Sequence, residues 1–131
     1  MTRSAARAWS MLTRLLVVAV FTQSIFAGVL LSGEGWGRTA HGITALALVA
    51  VTLGAGAAAA VTARGSGRDA SKLTVLLFAL AVILFAQTVI GRLSAEGQNL
   101  LWLHVPLGVA LVGLMVQPAR IAGRLAGRGG G

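Results

Sequence analysis

The sequence predicts an all-α integral membrane protein, an up-down-up-down bundle of four transmembrane helices with an internal two-helix duplication. Of its 131 residues, 56% are hydrophobic and only 11% are charged. Soluble domains carry about 25% charged residues, so this chain lacks the polar surface to coat a soluble globule. A soluble enzyme and a nucleic-acid-binding protein are excluded despite the net charge of +8. The absence of cysteine excludes disulfides, thiolate metal sites and the C-x-x-C-H heme attachment.

Four apolar stretches are long enough to span a bilayer as helices, which takes about 17–25 residues. They cover residues 12–31, 40–63, 73–91 and 100–119 of a single membrane domain, residues 1–131. The linkers between them are short, so we expect consecutive helices to pack antiparallel. A cleaved signal peptide is the less favoured interpretation of the first stretch, because this stretch has a counterpart in the second half.

The basic residues predict the orientation of the bundle. Nine of them precede the first stretch or lie near its start, lie in the middle loop or follow the fourth stretch, whereas only Arg38 and Arg92 lie in the other two loops. The positive-inside rule then places both termini in the cytoplasm of a multi-pass protein of the bacterial plasma membrane. Arg120, Arg124 and Arg128 recur every fourth residue, so on a helix they would form one face toward anionic lipid headgroups.

Shared motifs in residues 1–63 and 64–131 predict the duplication. The first half contains FTQSI at residues 21–25 and the second contains FAQTV at residues 85–89. Each motif is followed by Gly, Leu, Ser and Glu-Gly, and then by a histidine that begins an ungapped H-x-x-x-small-x-A-L-V pattern. Because both halves start on the same side, the repeats are parallel and related by an axis along the membrane normal. His41 and His104 are therefore expected at equal depth near the outer face, facing each other across the bundle.

Two symmetric histidines indicate a ligand pair. A single histidine in a membrane helix commonly hydrogen-bonds a neighbouring helix or reaches the interface, but these are the only two in the chain. Zinc normally needs three or four ligands, and a proton relay needs buried carboxylates, which the helices lack. Heme iron needs only two axial ligands, and bundles build such sites from facing helices. The sequence therefore predicts one b-type heme (heme b) held by His41 and His104.

Small and basic residues complete the predicted site. Ala45 and Gly108 follow the histidines by one helical turn, where a small side chain leaves room for a porphyrin. Arg38 and Arg92 lie near the depth of the heme propionates, which guanidinium binds bidentately. An equally favoured interpretation is that each arginine pairs with a glutamate of the outer loops or is solvated.

Other polar and small residues have structural interpretations as well. Gln23 and Gln87 are expected to join helices, which we favour over binding of a quinone headgroup. Gly28 and Gly91 either open space at the site or allow close helix contacts. The three tryptophans fit interfacial belts: Trp9, Trp36 and Trp102.

Residues 10–118 resemble one four-helix half of heme A synthase. The resemblance rests on a helix with Gln and Gly, a Gly-rich outer loop, a histidine opening the next helix, and a second copy ending in L-H-x-P-L. In that family the histidines that open the second and fourth helices of a half coordinate heme, which implies His41 and His104 as ligands here. The family has a catalytic glutamate three residues before the first histidine, where this chain has Arg38, and often a cysteine pair, which is absent. Synthase activity is therefore not expected.

The leading functional prediction is a heme-binding membrane protein for electron transfer, redox sensing or heme handling. Its expected partners are heme, membrane lipids and a redox partner or quinone, with no nucleic acid and no assigned catalytic residue. The alternative is a cofactor-free bundle that serves as a structural or partner-binding subunit. A small drug exporter would require a carboxylate in the first helix, where Gln23 is the nearest polar residue, so that class is set aside.

Overall fold

The computed structural model describes residues 2–62 and 64–128, which form four α-helices. They are α1 (Arg3–Leu31), α2 (Gly35–Thr62), α3 (Arg68–Ala95) and α4 (Leu101–Arg128). Each has 28 or 29 residues, a length of about 42 Å at the usual rise of 1.5 Å per residue. All four are long and apolar enough to cross a membrane. The all-helical class and the four-helix bundle of the sequence prediction are confirmed.

The helices extend beyond the apolar stretches that predicted them. Helix α1 begins at Arg3 rather than near residue 12, and α4 continues through Pro118 to Arg128 rather than ending near residue 119. Hydropathy marks only the part of a helix that suits lipid, whereas the flanking Ala, Arg and Leu residues are themselves good helix formers. Thr2 caps α1, because its Oγ1 accepts a hydrogen bond of 3.2 Å from the backbone N–H of Ala5.

Helices α1 and α3 end in the same C-terminal motif. Gly33 and Gly97 have φ values of +87° and +98°, which favour glycine. In each motif the residue after the glycine donates its N–H to the carbonyl five residues earlier, at 3.3 Å and 3.1 Å. Each glycine lies ten residues after the glutamine of its half, Gln23 or Gln87. The structurally equivalent pair is thus Gly33 and Gly97, whereas the sequence comparison matched Gly35 with Gly97.

The four helices pack as a closed ring. Helices α1 and α3 each contact both α2 and α4, whereas within the described residues the diagonal pairs α1–α3 and α2–α4 show no close backbone approach. Buried positions recur at nearly the same spacing in the two halves: Leu16 of α1 matches Leu80 of α3, and Leu48 of α2 matches Leu111 of α4. The spacing is 64 residues for the first pair and 63 for the second. Equivalent positions of the two halves therefore line the same bundle axis.

The tryptophans occupy two kinds of environment. Trp36 and Trp102 are 58% and 69% exposed, as expected for side chains at a membrane interface. Trp9 is only 7% exposed and belongs to the core. The expectation that Trp9 forms part of an interfacial belt is therefore wrong, because the extension of α1 to Arg3 places this residue on a packed helix face.

The two ends of the bundle differ in charge. We call the end with the α1–α2 and α3–α4 connections the histidine end, and the other the basic end. Two basic residues (Arg38 and Arg92) and two glutamates lie at the histidine end, whereas the basic end carries nine basic residues and one acid, Asp69. Arg124 Nε lies 3.9 Å from Oδ2 of this aspartate. The whole net charge of +8 therefore lies at the basic end.

Candidate functional site

His41 and His104 meet on the bundle axis at the histidine end. His41 lies in the second turn of α2 and His104 in the first turn of α4. Although these helices are diagonal neighbours, the ring centroids are 6.2 Å apart and the ring planes make an angle of 79°. Both side chains are half-buried. The structure thus brings together the two residues that the sequence singles out.

The separation of the two rings suits ligation of one metal ion. A metal–nitrogen bond of about 2.0 Å and a distance of about 1.1 Å from nitrogen to ring centre put the two centroids about 6 Å apart. The observed separation is 6.2 Å. The Nδ1 atom of each ring is buried without a hydrogen-bond partner, although buried polar atoms normally have one. Two imidazoles are a donor set that heme iron takes, and the same separation and angle are also those of a direct edge-to-face contact between the rings.

Each half of the chain holds its histidine by a glutamine. Gln23 Nε2 on α1 donates to the His41 carbonyl at 3.1 Å, and Gln87 Nε2 on α3 donates to the His104 carbonyl at 2.6 Å. These bonds join the two helices of each half at the level of the rings. The glutamines thus have the interhelical role that the sequence analysis favours, and they fix the backbone of the candidate ligands.

The two glutamines differ in their second polar atom. Gln23 Oε1 lies 2.6 Å from the Thr44 hydroxyl, whose single proton has the Ala40 carbonyl oxygen as a second acceptor at the same distance. The residue in the equivalent position of the second half is Leu107, which has no donor, and Gln87 Oε1 is buried without a partner. The sequence analysis missed this difference, although it shows as the one polar-to-apolar change inside the two H-x-x-x-small patterns.

Gly91 makes room for the His104 ring. A methyl group at Gly91 would lie 2.6 Å from His104 Cε1 and 3.2 Å from both ring nitrogens, so this edge of the ring lies against the α3 backbone. A methyl group at Gly28 would meet nothing within 4 Å. The close-contact role therefore belongs to Gly91 alone.

Small residues one turn after the histidines lie beside the glutamines. A methyl group at Gly108 would lie 3.1 Å from Gln87 Nε2, so this glycine accommodates the amide that holds His104. Ala45, its counterpart on α2, is half-buried. Packing of the amide is thus a sufficient reason for glycine at position 108, beside the predicted role of admitting a porphyrin.

The two arginines of the histidine end are exposed. Arg92 Nε lies 3.0 Å from Glu96 Oε1, and the two side chains are 82% and 55% exposed. This pair is the alternative that the sequence analysis left open for Arg92. Arg38 is exposed, and within the described residues it forms no ion pair shorter than 4 Å. Arg38 is therefore the arginine whose charge is uncompensated at this end.

A separate apolar groove of about 410 Å³ runs between α1 and α2. It begins near Leu12 and Val51 and ends near Phe26 and Thr44. Neither histidine lines it. Thr44 is the one residue that belongs both to the groove and to the hydrogen bonds around His41.

The described residues gather no group of three His, Asp or Glu side chains that could hold a metal ion. The candidate site thus consists of two imidazoles supported by two amides. Comparison of the chain with protein-family models, curated proteins and solved structures gives no match.

Proposed function

We propose that this chain is a membrane protein that binds one b-type heme through His41 and His104, for electron transfer, redox sensing or heme handling. The observation that carries the proposal is the ring separation of 6.2 Å on the bundle axis. The buried and unpartnered Nδ1 atoms of both rings support it. The resemblance to one half of heme A synthase agrees with the same ligand pair, but we do not propose synthase activity.

The histidines and the glutamines of the site have separate roles in holding a heme. His41 and His104 supply neutral imidazole nitrogens, since protonated rings cannot bind iron. Gln23 and Gln87 hold the backbone of these ligands at one level of the bundle. The heme itself supplies a one-electron Fe(III)/Fe(II) couple, which burial and ligand hydrogen bonds tune.

The charge distribution supports one orientation in the membrane. With the basic end in the cytoplasm, both termini lie inside a bacterial plasma membrane and the heme lies near the outer face. A single site at this depth exchanges electrons with a partner or a quinone on the outer side. It does not by itself carry electrons across the bilayer.

The test is the optical spectrum of the purified protein. Protein from heme-replete cells should show a Soret band and a reducible α band, and the pyridine hemochrome should give about one heme per chain. The matched control is the double variant His41→Ala with His104→Ala, which should be colourless and equally helical by circular dichroism. Folded wild-type protein that stays colourless after addition of hemin would refute the proposal.

A cofactor-free structural subunit is the second candidate. One observation favours it: the glutamine bonds already join the helices of each half without any bound group. This candidate predicts folded, colourless protein whose stability does not change when hemin is added. Binding of a heme should instead stabilise the folded state by mass action.

A further inference from the structure

We infer that the seam between α1 and α4, at the basic end of the bundle, binds an anionic phospholipid with two phosphates in its headgroup, a lipid of the cardiolipin class. The inference rests on the membrane location of the proposed function and is independent of heme. It follows from an uneven distribution of arginine. The chain has two equivalent seams between its halves, α1–α4 and α2–α3, and only the first is basic.

Four arginines occupy positions of the α1–α4 pair whose counterparts are uncharged. Arg3, Arg7 and Arg14 are four and seven residues apart, so they share one face of α1. Arg120 lies on α4. At the spacings of 64 and 63 residues that relate the two halves, the equivalent residues of α3 and α2 are Gly67, Ser71, Phe78 and Ala57.

The equivalence of the halves places Arg14 over the α1–α4 seam. A methyl group at Gly56 of α2 would lie 3.2 Å from ring atoms of its counterpart Phe78, so this ring covers the α2–α3 seam. The residue of α4 equivalent to Gly56 is Ala119, which directly precedes Arg120. Side chains lean toward the N-terminus of their helix, and α1 and α4 run in opposite directions. Arg14 and Arg120 therefore lean toward each other along the seam.

The chain supplies no anion to these four arginines. All four are exposed, and within the described residues none of them forms an ion pair. The one acid of the basic end, Asp69, has its Oδ2 atom 3.9 Å from Arg124 Nε. Both glutamates lie at the histidine end. The charge on this face is therefore left for an external anion.

The chemistry and depth of the arginines favour a lipid with two phosphates. Guanidinium binds phosphate bidentately, and basic sites between transmembrane helices on the cytoplasmic side bind cardiolipin headgroups. Arg14 lies seven residues after Arg7, about 10 Å deeper along α1. The four side chains thus form a deeper pair, Arg14 with Arg120, and an outer pair, Arg3 with Arg7. Each pair can hold one phosphate.

The experiment titrates the purified protein in detergent with cardiolipin and counts bound lipid by native mass spectrometry. Wild-type protein should bind one cardiolipin, more tightly than phosphatidylglycerol, which has one phosphate. Arg14→Gln with Arg120→Gln should weaken cardiolipin binding roughly 25-fold, because each arginine near the membrane surface contributes about 1 kcal/mol, or about fivefold. The matched control, Arg68→Gln with Lys72→Gln, removes the same charge from α3 and should bind like wild type.

A second variant tests the inference by transfer. Ser71→Arg with Ala57→Arg copies Arg7 and Arg120 onto the α2–α3 seam and should add a second cardiolipin. No second lipid, with unchanged helicity, would overturn the inference.

Three other results would also overturn it. Equal losses in the seam variant and its control would indicate general charge attraction, and equal affinity for the two lipids would indicate a site for one phosphate. Displacement of cardiolipin by inorganic diphosphate at the same concentration would assign the site to a free anion. Colourless protein that binds cardiolipin as stated would overturn the proposed heme function alone and support the inference.

Discussion

Substitution of Gly91 by alanine should displace the His104 ring. The added methyl group would lie 2.6 Å from Cε1, whereas ordinary van der Waals contact is 3.4–4 Å, so the ring must withdraw by roughly 1 Å. Metal–ligand distances tolerate only about 0.2 Å, so this movement exceeds what an intact iron bond allows. If His104 binds heme iron as proposed, we therefore expect Gly91→Ala to lose most of that heme or its low-spin spectrum.

The same substitution should change the free energy of unfolding only slightly, and a control variant separates the cost of overpacking from the effect of helix propensity. Overpacking costs about 1–3 kcal/mol, and the ring relieves part of the clash by turning, so we expect about 1 kcal/mol. Alanine offsets this cost, because it is better than glycine in a helix by about 1 kcal/mol. Gly28→Ala is the matched control, since its methyl group meets nothing within 4 Å. The difference between the two variants removes the helix-propensity contribution and leaves the overpacking cost.

Heme content, the optical spectrum and unfolding by sodium dodecyl sulfate in detergent micelles measure these quantities. Gly91→Ala should retain less heme than Gly28→Ala and should unfold at a lower fraction of the denaturing detergent. If the two variants match each other in heme content, spectrum and stability, the contact between Gly91 and His104 does not govern the site.

Three further predictions concern the amides, a buried hydroxyl and the arginines. Gln23→Leu should lower the free energy of unfolding more than Gln87→Leu, because Gln23 contacts both the His41 carbonyl and the Thr44 hydroxyl of α2, whereas Gln87 contacts only the His104 carbonyl of α4, and an interhelical hydrogen bond contributes about 0.6–2 kcal/mol; an equal loss in both variants would contradict this. Thr52→Val should raise the free energy of unfolding by about 1–3 kcal/mol, since the Thr52 hydroxyl is fully buried without a partner; a loss of stability would show that the hydroxyl does have one. Redox titration should give a lower midpoint potential for Arg38→Gln than for Arg92→Gln, because Glu96 compensates the Arg92 charge and positive charge near iron favours the reduced form; equal potentials would assign both arginines to solvent.

Hydropathy was enough to predict the four helices and their order, but not their ends. The apolar stretches report where lipid contacts a helix, whereas the ends depend on capping and on backbone hydrogen bonds. The Gly33 motif illustrates this: a positive φ and two backbone bonds end α1 there. Two nearby glycines, Gly33 and Gly35, are candidates for this position, and only the distance of ten residues from Gln23, which matches that from Gln87 to Gly97, selects Gly33. Trp9 was misplaced for the same reason, because it lies on the part of α1 that hydropathy does not mark.

The candidate site was predictable in its members but not in its contacts. Repetition of the motifs was enough to select His41, His104 and the two glutamines. The hydrogen-bond partner of each amide depends on how the helices are rotated about their axes. The 3.6-residue period of a helix predicts this rotation only to within part of a turn. The two histidines differ in environment because Thr44 has a hydroxyl beside Gln23 and Gly91 has no methyl group beside His104. The sequence contains both residues, but only the packed structure shows that they contact the site.

The concentration of charge at the basic end has a consequence for the electrical work of insertion. Moving one elementary charge across a potential of 100 mV takes about 2.3 kcal/mol, so eight net charges take roughly 18 kcal/mol. If the bundle spans an energised membrane as proposed, this difference strongly disfavours the orientation that places the basic end on the positive side. Every copy in one membrane should then have the same orientation, with its histidine end facing the same compartment.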